Sequence, residues 1–392
     1  MDVADPGDEG VLSRRVLIAI STFGGGTGSH LVRLLETLDR TRWEPAVHCD
    51  GQLEMTLPDD IQVFDRTRKT IVDRYPLAQL RQYRALRRTV RSVQPQILHT
   101  YFLWPILYGR LLKRAGWIQC LVENREDEGF NWSEWDYRLL RLTATLPDRI
   151  ICVSEGVRGV VLEREGIDPE KVKVIPNGVP LAPEESDPVT EREMLAELGL
   201  EPDNEVVGLV ANLNRTVKGV RYFIEAAPAI VAARPRVRLL VVGEGRDRGR
   251  LEALAERLGV ADRVRFTGFR SDVHRLYPLM DVSALTSLSE GLSITILESM
   301  SHGIPVVATR VGGNPELVAD GETGILVPPR DPEAFAEAVI GLLANPQERR
   351  RMGVAGRERA EREFSQDQIA RRYEALYDEV LGPQETSSEA RR

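Results

Sequence analysis

Two glutamates separated by seven residues carry the strongest chemical signal in the chain, because carboxylates accept hydrogen bonds from the vicinal hydroxyls of sugars. Glu290 lies in a polar loop after a predicted strand, and Glu298 lies within a helix predicted over residues 293–302. The backbone N–H groups of residues 291–294 open that helix without intrahelical partners, which suits an anionic phosphate. Two carboxylates at this spacing could bind two sugars beside the phosphate, although a capping glutamate followed by a solvated one would give the same pattern.

Two basic residues follow another predicted strand. Arg215 and Lys218 lie in the segment ANLNRTVKG, residues 211–219, directly after the strand predicted over 206–210. Ligands of doubly wound proteins bind at the carboxyl ends of the strands, where cations would meet a diphosphate. Solvated basic residues on a surface loop are the alternative for this segment taken alone.

A glycine-rich turn follows the first predicted strand. Gly25 and Gly26 belong to STFGGGTGSH, residues 21–30, which opens a helix and lets backbone N–H groups approach a phosphate. The spacing departs from the G-x-G-x-x-G dinucleotide fingerprint, and no G-x-x-x-x-G-K-[ST] occurs. An NAD(P)-dependent oxidoreductase and a P-loop ATPase are therefore disfavoured, whereas a tight turn without a ligand remains open.

Short β-rich runs alternate with helical patterns along the whole chain, which predicts an α/β fold with parallel strands joined by crossovers. The runs form two series, separated by a proline-rich stretch. We expect two doubly wound, Rossmann-like domains over residues 1–180 and 205–366, a linker over 181–204, a helix over 367–381 and a disordered tail over 382–392. The predicted strands span residues 16–20, 46–49, 62–64, 97–100, 120–123, 150–153, 206–210, 237–242, 264–266, 282–285, 306–308 and 325–327.

Composition excludes several classes of protein. The chain of 392 residues carries 52 Lys and Arg against 60 Asp and Glu, a net charge of −8, which argues against a nucleic-acid partner. No apolar run is long enough to span a bilayer, and the N-terminus lacks the pattern of a signal peptide. The three cysteines, Cys49, Cys120 and Cys152, are far apart and are predicted to be buried free thiols. We expect a cytoplasmic protein without a metal centre.

Together these segments resemble one known family. Glu290-x7-Glu298, continued by ESMSHGIPVVATRVGGNPELVADGETGILVPP, resembles the donor-binding signature of the family 4 glycosyltransferases. The resemblance extends over about residues 14–380 and includes VVGEG at 241–245, VRFTGF at 264–269, IPNG at 175–178, Gly25-Gly26 and QILH at 96–99. It implies the GT-B fold, two Rossmann-like domains facing each other across a cleft, with the helix over 367–381 crossing back to the N-terminal domain.

The resemblance also implies an activity. The family transfers a sugar, with retention at the anomeric carbon, from a nucleoside diphosphate sugar, by default a UDP-sugar, and needs no further cofactor. The C-terminal domain would hold the donor, and the N-terminal domain would hold a saccharide, lipid-linked or small-molecule acceptor. The alternative enzyme is a nucleotide-sugar epimerase of related fold. A further alternative is a binding module without catalytic activity. No Asp-x-Asp occurs, so we expect catalysis without a divalent metal.

Roles on the donor side follow from the resemblance. Lys218 with Arg215 would neutralise the diphosphate, Glu290 would contact the transferred sugar, and Glu298 would hold the ribose hydroxyls. Asn212 stands where the family often has an arginine. The remaining donor contacts implied are Gly25, Gly26, Asn212, Gly243, Gly245, Arg270, Gly291, Leu292 and Ser293.

On the acceptor side, His99 stands at a strand end where the family often has a His-x-His pair, and it would be catalytic, but the second position is Tyr101. The segment VENREDEGFNWSEWDYR, residues 122–138, follows the next strand and would line the acceptor site through its polar residues, namely Asn124, Arg125, Glu126 and Asp127. Trp132 and Trp135 could stack on sugar rings, or belong to an irregular loop with core tryptophans.

Residues 74–91 form a basic amphipathic pattern. The stretch holds six arginines, with Leu77, Leu80 and Leu86 at helical spacing. Such a helix is typical of peripheral contact with an anionic membrane surface. A solvated helix of an arginine-rich protein has the same pattern.

Overall fold

The computed structural model describes residues 13–64, 76–129, 132–183 and 188–382. The first residues of the predicted N-terminal domain, residues 74–75 of the basic stretch, residues 184–187 of the predicted linker and the tail from residue 383 lie outside the described residues. The chain divides into two compact units. The first contains the described residues up to Cys152, Arg158–Ile175 and the residues from Ile369 onward, and the second contains Val153–Val157 and Pro176–Gln368.

The first unit is built on a parallel sheet of seven strands, six of which belong to the first predicted series. Its strand order is β3-β2-β1-β4-β5-β6-β7. The order reverses between β1 and β4, which is the point where doubly wound sheets place their ligands. The strands are β1 (Arg14–Ile20), β2 (Trp43–Cys49), β3 (Gln62–Phe64), β4 (Ile97–Tyr101), β5 (Cys120–Arg125), β6 (Arg149–Cys152) and β7 (Val172–Val174). β7 was not predicted from the sequence, although β3, a strand of the same length, was.

The second unit repeats this arrangement. Its sheet has the order β10-β9-β8-β11-β12-β13, again parallel, with the reversal between β8 and β11. Each predicted strand of the second series is confirmed within two residues at its ends. The strands are β8 (Glu205–Val210), β9 (Val237–Val242), β10 (Val264–Gly268), β11 (Val282–Leu285), β12 (Val306–Thr309) and β13 (Gly324–Val327).

Helices connect the strands of both units. They are α1 (Gly25–Thr37), α2 (Pro76–Val93), α3 (Leu103–Arg114), α4 (Glu134–Leu142), α5 (Glu155–Glu165), α6 (Pro188–Leu198), α7 (Val220–Ala233), α8 (Arg248–Arg257), α9 (Ile294–Ser301), α10 (Asn314–Leu317), α11 (Pro332–Ala344), α12 (Pro346–Phe364) and α13 (Gln366–Leu381). Within the described part of the chain, none of these helices has the length and apolar character that a bilayer span requires.

Two helices, α13 and α6, are assigned to a unit by their packing. Most of α13 packs into the core of the first unit, where Ile369, Tyr373 and Tyr377 are fully buried. The segment that the sequence suggests is a linker over 181–204 is instead part of the second unit. Its helix α6 buries Met194 and Leu198 against the core on one face of that sheet, so its apolar spacing serves tertiary packing. The three cysteines are free and buried.

Candidate functional site

The predicted Lys218 and Glu290 meet in the second unit, although 72 residues separate them. The Lys218 ammonium donates to both Glu290 oxygens, at 2.7 and 3.0 Å. The Ser287 hydroxyl donates to Oε1 of the same carboxylate at 2.5 Å. Glu290 is 8% exposed, whereas the Lys218 side chain is 20% exposed. The lysine therefore holds a buried carboxylate in one orientation, and its own side chain is the more exposed of the two.

Backbone contacts fix the loop that carries Lys218. Gly219 adopts a left-handed conformation with φ of 62°, and a Cβ there would lie 2.0 Å from the carbonyl oxygen of Thr286. The Thr286 hydroxyl in turn donates to the Gly219 carbonyl at 3.0 Å. The backbone N–H of Leu288 donates to the Val217 carbonyl at 2.7 Å. Only glycine fits this close approach, which joins the loop after β8 to the loop after β11.

Two glycines, Gly312 and Gly313, pack against the backbone of the loop that carries Glu290. At Gly312 φ is 49°, and a Cβ would lie only 1.6 Å from the Glu290 carbonyl oxygen. The backbone N–H of Gly313 donates to the Gly291 carbonyl at 3.1 Å. Gly291 and Leu292 are buried. Gly312 and Gly313 were not predicted as site residues, although two consecutive glycines after a strand indicate a tight backbone contact.

The second glutamate of the motif has a different environment. Glu298 lies on α9, is partly buried, and accepts a hydrogen bond from the buried hydroxyl of Tyr277 at 2.9 Å. Ser293 caps the same helix through its side-chain oxygen, which accepts from the N–H of Ile296 at 3.4 Å. The cap confirms a helix start directly after the Glu290 loop. Tyr277 was missed because its contact with Glu298 crosses 21 residues.

Three predicted donor residues lie where the loops after β8 and β9 approach each other. A Cβ at Gly243 would lie 1.9 Å from the Ala211 carbonyl oxygen, and one at Gly245 would lie 2.3 Å from the backbone of residues 213–214. Asn212 is exposed and accepts from the N–H of Asn214 at 2.9 Å. The close approach of the two loops therefore requires glycine at both positions, whether or not a ligand is bound.

The other two predicted cations of the second unit differ in their surroundings. Arg215 is exposed at the start of the loop that carries Lys218. Arg270 is 15% exposed and donates twice to Asp272, at 2.8 and 2.7 Å, with a further bond to Glu197 on α6. These hydrogen bonds to Asp272 and Glu197 raise the pKa of the Arg270 guanidinium. Two carboxylates thus occupy the donors that the sequence analysis assigned to a nucleotide.

In the first unit, the glycine turn begins α1. Gly25 and Gly26 are exposed, no acidic side chain lies in the first turn, and no side chain caps the helix. The hydroxyl of Thr27, in this same turn, donates to Glu126 Oε2 at 3.3 Å. Asn124 donates from its amide to Glu126 Oε1. The turn and the end of β5 therefore meet at one carboxylate, which both elements hold in place.

His99 and Tyr101 are buried, which does not fit the contact to a substrate predicted for them. Both are fully inaccessible to solvent. His99 Nδ1 is 2.8 Å from the hydroxyl of Tyr377 on α13, and burial lowers the pKa of this histidine to about 3. The imidazole is therefore neutral throughout the physiological range. The sequence places His99 at the end of a strand, where ligands bind, but it does not show that α13 covers this histidine.

Arg125 was predicted to line the acceptor site, but its guanidinium is bound by buried carboxylates. Its guanidinium donates to Glu165 at 2.9 and 2.7 Å and to Glu123 at 3.0 Å, and Arg110 donates to Glu123 at 2.7 and 2.8 Å. All four side chains are at most 2% exposed. Burial opposes the charge on Arg125, but Glu165 and Glu123 outweigh it and raise its pKa. Two arginines and two glutamates thus form a neutral buried network.

A small cavity lies at the end of β5. Trp132 belongs to its wall and packs on the Tyr137 ring at 5.6 Å, whereas Trp135 is 64% exposed on α4. The cavity is lined by Phe102, Asn124, Arg125, Glu126, Asp127 and Trp132. Asn124, Glu126 and Asp127 are three of the four polar residues predicted for the acceptor side. They line this cavity and do not belong to the neutral network. No group of three His, Cys, Asp or Glu among the described residues is arranged to hold a metal ion.

Two family models match the chain. Glycosyltransferase Family 4 matches residues 24–182, and Glycosyl transferases group 1 matches residues 204–345. The putative glycosyltransferase EpsD of Bacillus subtilis is 30% identical over 349 residues, which is 86% of this chain and 89% of that protein. The D-inositol 3-phosphate glycosyltransferase of Segniliparus rotundus is 36% identical over 215 residues, 53% of this chain. That alignment spans 47% of the relative, so the match covers about half of its length.

Solved structures share the fold over nearly the whole chain. The crystal structure of Anabaena HepE in complex with UDP has a TM-score of 0.78 at 22% identity, covering 93% of this chain and all of that one. A glycosyltransferase from Rickettsia africae has a TM-score of 0.81 at 19% identity, covering 95% of this chain and all of that one. At these identities the likeness is one of architecture.

Proposed function

The chain belongs to the family 4 glycosyltransferases and has their GT-B fold, and from this premise we propose that it transfers a sugar from a UDP-sugar to a glycosyl acceptor with retention of configuration. The second unit holds the donor in this proposal, and the first holds a saccharide, lipid-linked or small-molecule acceptor. The observation that carries it is the Lys218–Glu290 pair at the carboxyl end of the second sheet. The UDP complex of the HepE relative supports UDP as the nucleotide.

Lys218 serves the departing diphosphate. Its side chain is 20% exposed and its ammonium is joined to Glu290, so a phosphate can approach the lysine from solvent. Arg215 lies three residues earlier on the same loop and is exposed. Positive charge placed before the reaction stabilises the negative charge that develops as the sugar leaves. These two cations supply that charge, and catalysis proceeds without a divalent metal.

Glu290 orients the transferred sugar. Its Oε1 accepts from both Ser287 and Lys218 and its Oε2 from Lys218, which fixes the carboxylate and weakens it as a nucleophile. We therefore assign it to hydrogen bonds with sugar hydroxyls and exclude a covalent glycosyl-enzyme. The acceptor hydroxyl attacks from the side of the leaving group, and a phosphate oxygen takes its proton. Glu298, held by Tyr277, binds the ribose hydroxyls.

The test is release of UDP in the presence of an acceptor. UDP-glucose, UDP-galactose and UDP-N-acetylglucosamine are each incubated with mixed saccharide and lipid-linked acceptors. Acceptor-dependent UDP release is expected with at least one donor, at a rate unchanged by EDTA. Interconversion of UDP-sugars without an acceptor would overturn the proposal in favour of the epimerase, which the relatives above do not support. Loss of activity in EDTA that Mg²⁺ restores would overturn its metal-independent part.

Lys218→Ala tests the assigned residue. A preorganised charge contact is worth about 2–4 kcal/mol in the transition state, so kcat should fall roughly 30- to 1,000-fold. The matched control is Arg221→Ala, because Arg221 is 63% exposed and its ion pair with Glu225 lies within its own helix. Turnover by Lys218→Ala within threefold of the control would contradict the role of Lys218.

We also propose peripheral contact of the first unit with anionic lipid through α2. Leu77 is 83% exposed and Leu80 is 43% exposed on this helix, and Arg87 of the same helix lies 4.5 Å from the ring of Trp117, which is 38% exposed. Exposed leucine and tryptophan beside arginine suit the interface of a bilayer. Cosedimentation with phosphatidylglycerol vesicles, but not with phosphatidylcholine vesicles, is expected. Equal sedimentation by Leu77→Glu and the unchanged protein would refute it.

A further inference from the structure

We propose that a pocket of the second unit, between the loop after β8 and the start of α8, binds a sugar that carries a phosphate or carboxylate group. The pocket has a volume of about 320 Å³ and is lined by Thr216, Arg246, Asp247 and Arg250. Small-molecule sites range from about 300 to 1,000 Å³, so a single sugar unit can be accommodated. None of the four residues was assigned to the donor or the acceptor, so this site is an addition to the proposed function.

Hydrogen bonds between the two loops hold the walls of this pocket in place. The backbone N–H of Asp247 donates to the Leu213 carbonyl at 3.2 Å. The backbone N–H of Arg246 donates to the side-chain oxygen of Asn214 at 3.0 Å. The loop that leads to Thr216 is thereby joined to the turn that precedes α8. The backbone of the pocket is therefore formed by contacts within the second unit, and a ligand would not have to order it.

Two arginines of the pocket lack a carboxylate partner. Among the residues that the structure describes, neither the Arg246 nor the Arg250 guanidinium has an ion pair or a hydrogen bond. The nearby Glu244 and Glu252 are both bound by Arg248, at 2.7 and 2.8 Å. Two cations that line one pocket repel each other, and a bound anion would relieve this repulsion. Guanidinium groups bind phosphate and carboxylate through paired hydrogen bonds, which makes these anions the matching ligands.

The other two side chains of the pocket suit hydroxyl groups. Asp247 directly precedes α8, but its side chain makes no capping hydrogen bond with the helix. Its carboxylate can accept hydrogen bonds from hydroxyl groups, whereas it repels a small inorganic anion. Thr216 is exposed, and its hydroxyl can both donate and accept. An anionic group at the arginines and hydroxyl groups at Asp247 and Thr216 together describe a phosphorylated or carboxylated sugar.

The test is calorimetric titration of the full chain with glucose 6-phosphate, glucuronate, inorganic phosphate and glucose. It is run at about 0.15 M NaCl, which screens attraction between distant charges. At least one of the two anionic sugars should bind roughly fivefold or more tightly than both glucose and inorganic phosphate. Failure of both anionic sugars to bind, or equal binding of glucose, would overturn the proposal.

Variants assign the binding to the pocket. Arg246→Gln and Arg250→Gln should each weaken the binding of the preferred anionic sugar roughly fivefold or more. The matched control is Arg257→Gln, which removes the same charge from an exposed position at the other end of α8 and should change the affinity less than twofold. Equal affinities in Arg250→Gln and Arg257→Gln would overturn the proposal, because the attraction would then be unspecific.

Two further titrations test the sugar and the separation from the donor. Asp247→Ala should reduce the preference for the anionic sugar over inorganic phosphate roughly threefold or more, and an unchanged preference would overturn the assignment of a sugar. Lys218 follows Thr216 by two residues, but its ammonium is directed to Glu290. Saturating UDP should therefore leave the affinity for the anionic sugar within threefold, and displacement of the sugar by UDP would overturn the separate site. Failure of UDP itself to bind would contradict the proposed function alone.

Discussion

Arg125→Met should destabilise the first unit by several kcal/mol, although Arg125 lies beside a predicted binding site. The substitution keeps most of the side-chain volume and removes one positive charge from the neutral network of Arg110, Glu123, Arg125 and Glu165. Among the residues that the structure describes, Glu165 then keeps one cationic partner, the Arg110 guanidinium at 3.7 Å, in place of two bonds below 3 Å. Removing one partner from a buried ion pair costs about 3–5 kcal/mol.

A compensating variant tests the reason for this loss. Arg125→Met combined with Glu165→Met leaves Arg110 and Glu123 joined through bonds of 2.7 and 2.8 Å, again without net charge. The double variant should therefore recover at least half of the lost stability, because apolar replacements of similar volume can substitute for buried ion pairs. The control Asp60→Asn removes an exposed ion pair, since Asp60 is 57% exposed, and should cost less than about 1 kcal/mol.

Urea unfolding followed by tryptophan fluorescence measures these free energies in the first unit specifically. All five tryptophans, at positions 43, 104, 117, 132 and 135, belong to that unit, so their emission reports its unfolding. A single variant within 1 kcal/mol of the unchanged protein would refute the reasoning. So would a double variant whose loss equals the sum of the two single losses, because additivity would mean that the charges do not interact.

Three further outcomes are expected. Glu290→Gln should reduce turnover while proton NMR of the first-formed product still shows retention; an inverted linkage would sink the proposed mechanism. Gly312→Ala should weaken UDP binding in calorimetry, because its Cβ would lie 1.6 Å from the Glu290 carbonyl oxygen, whereas Gly321→Ala, with positive φ but open space, should not. The raised pKa of Glu126, about 7 against an ordinary 4.5, means that the folded state binds this proton more tightly. The contribution of this proton to stability is therefore lost as pH rises from about 4.5 to about 7. Between pH 5 and pH 8, the free energy of unfolding of Glu126→Gln, measured in urea titrations, should rise by about 1–3 kcal/mol relative to that of the unchanged protein. This range is set low because the Glu126 side chain is partly exposed to solvent. A constant difference would contradict this sign.

Local patterns in the sequence were sufficient to predict the architecture and the central pair of the proposed donor site. Strand and helix periodicity depends on residues a few positions apart, so the two sheets could be predicted without tertiary information. Glycines and glutamates around the Glu290 motif likewise mark the loop at the carboxyl end of β11, where a parallel sheet places ligands. The meeting of this loop with Lys218 follows because β8 and β11 are neighbours at the reversal of strand order.

Burial and partnership were decided only by the tertiary structure. The sequence shows Arg125 and Arg270 as cations after strands, but whether a cation is available to a ligand depends on carboxylates 40 and 73 residues away, Glu165 and Glu197. His99 occupies a predicted strand end, yet α13 returns from the far end of the chain to cover it with Tyr377. Electrostatic and solvation energies depend on distance in space, which separation along the chain does not determine. The sequence therefore identified the residues whose side chains are capable of binding or catalysis. Which of them are accessible to a ligand depends on the tertiary structure.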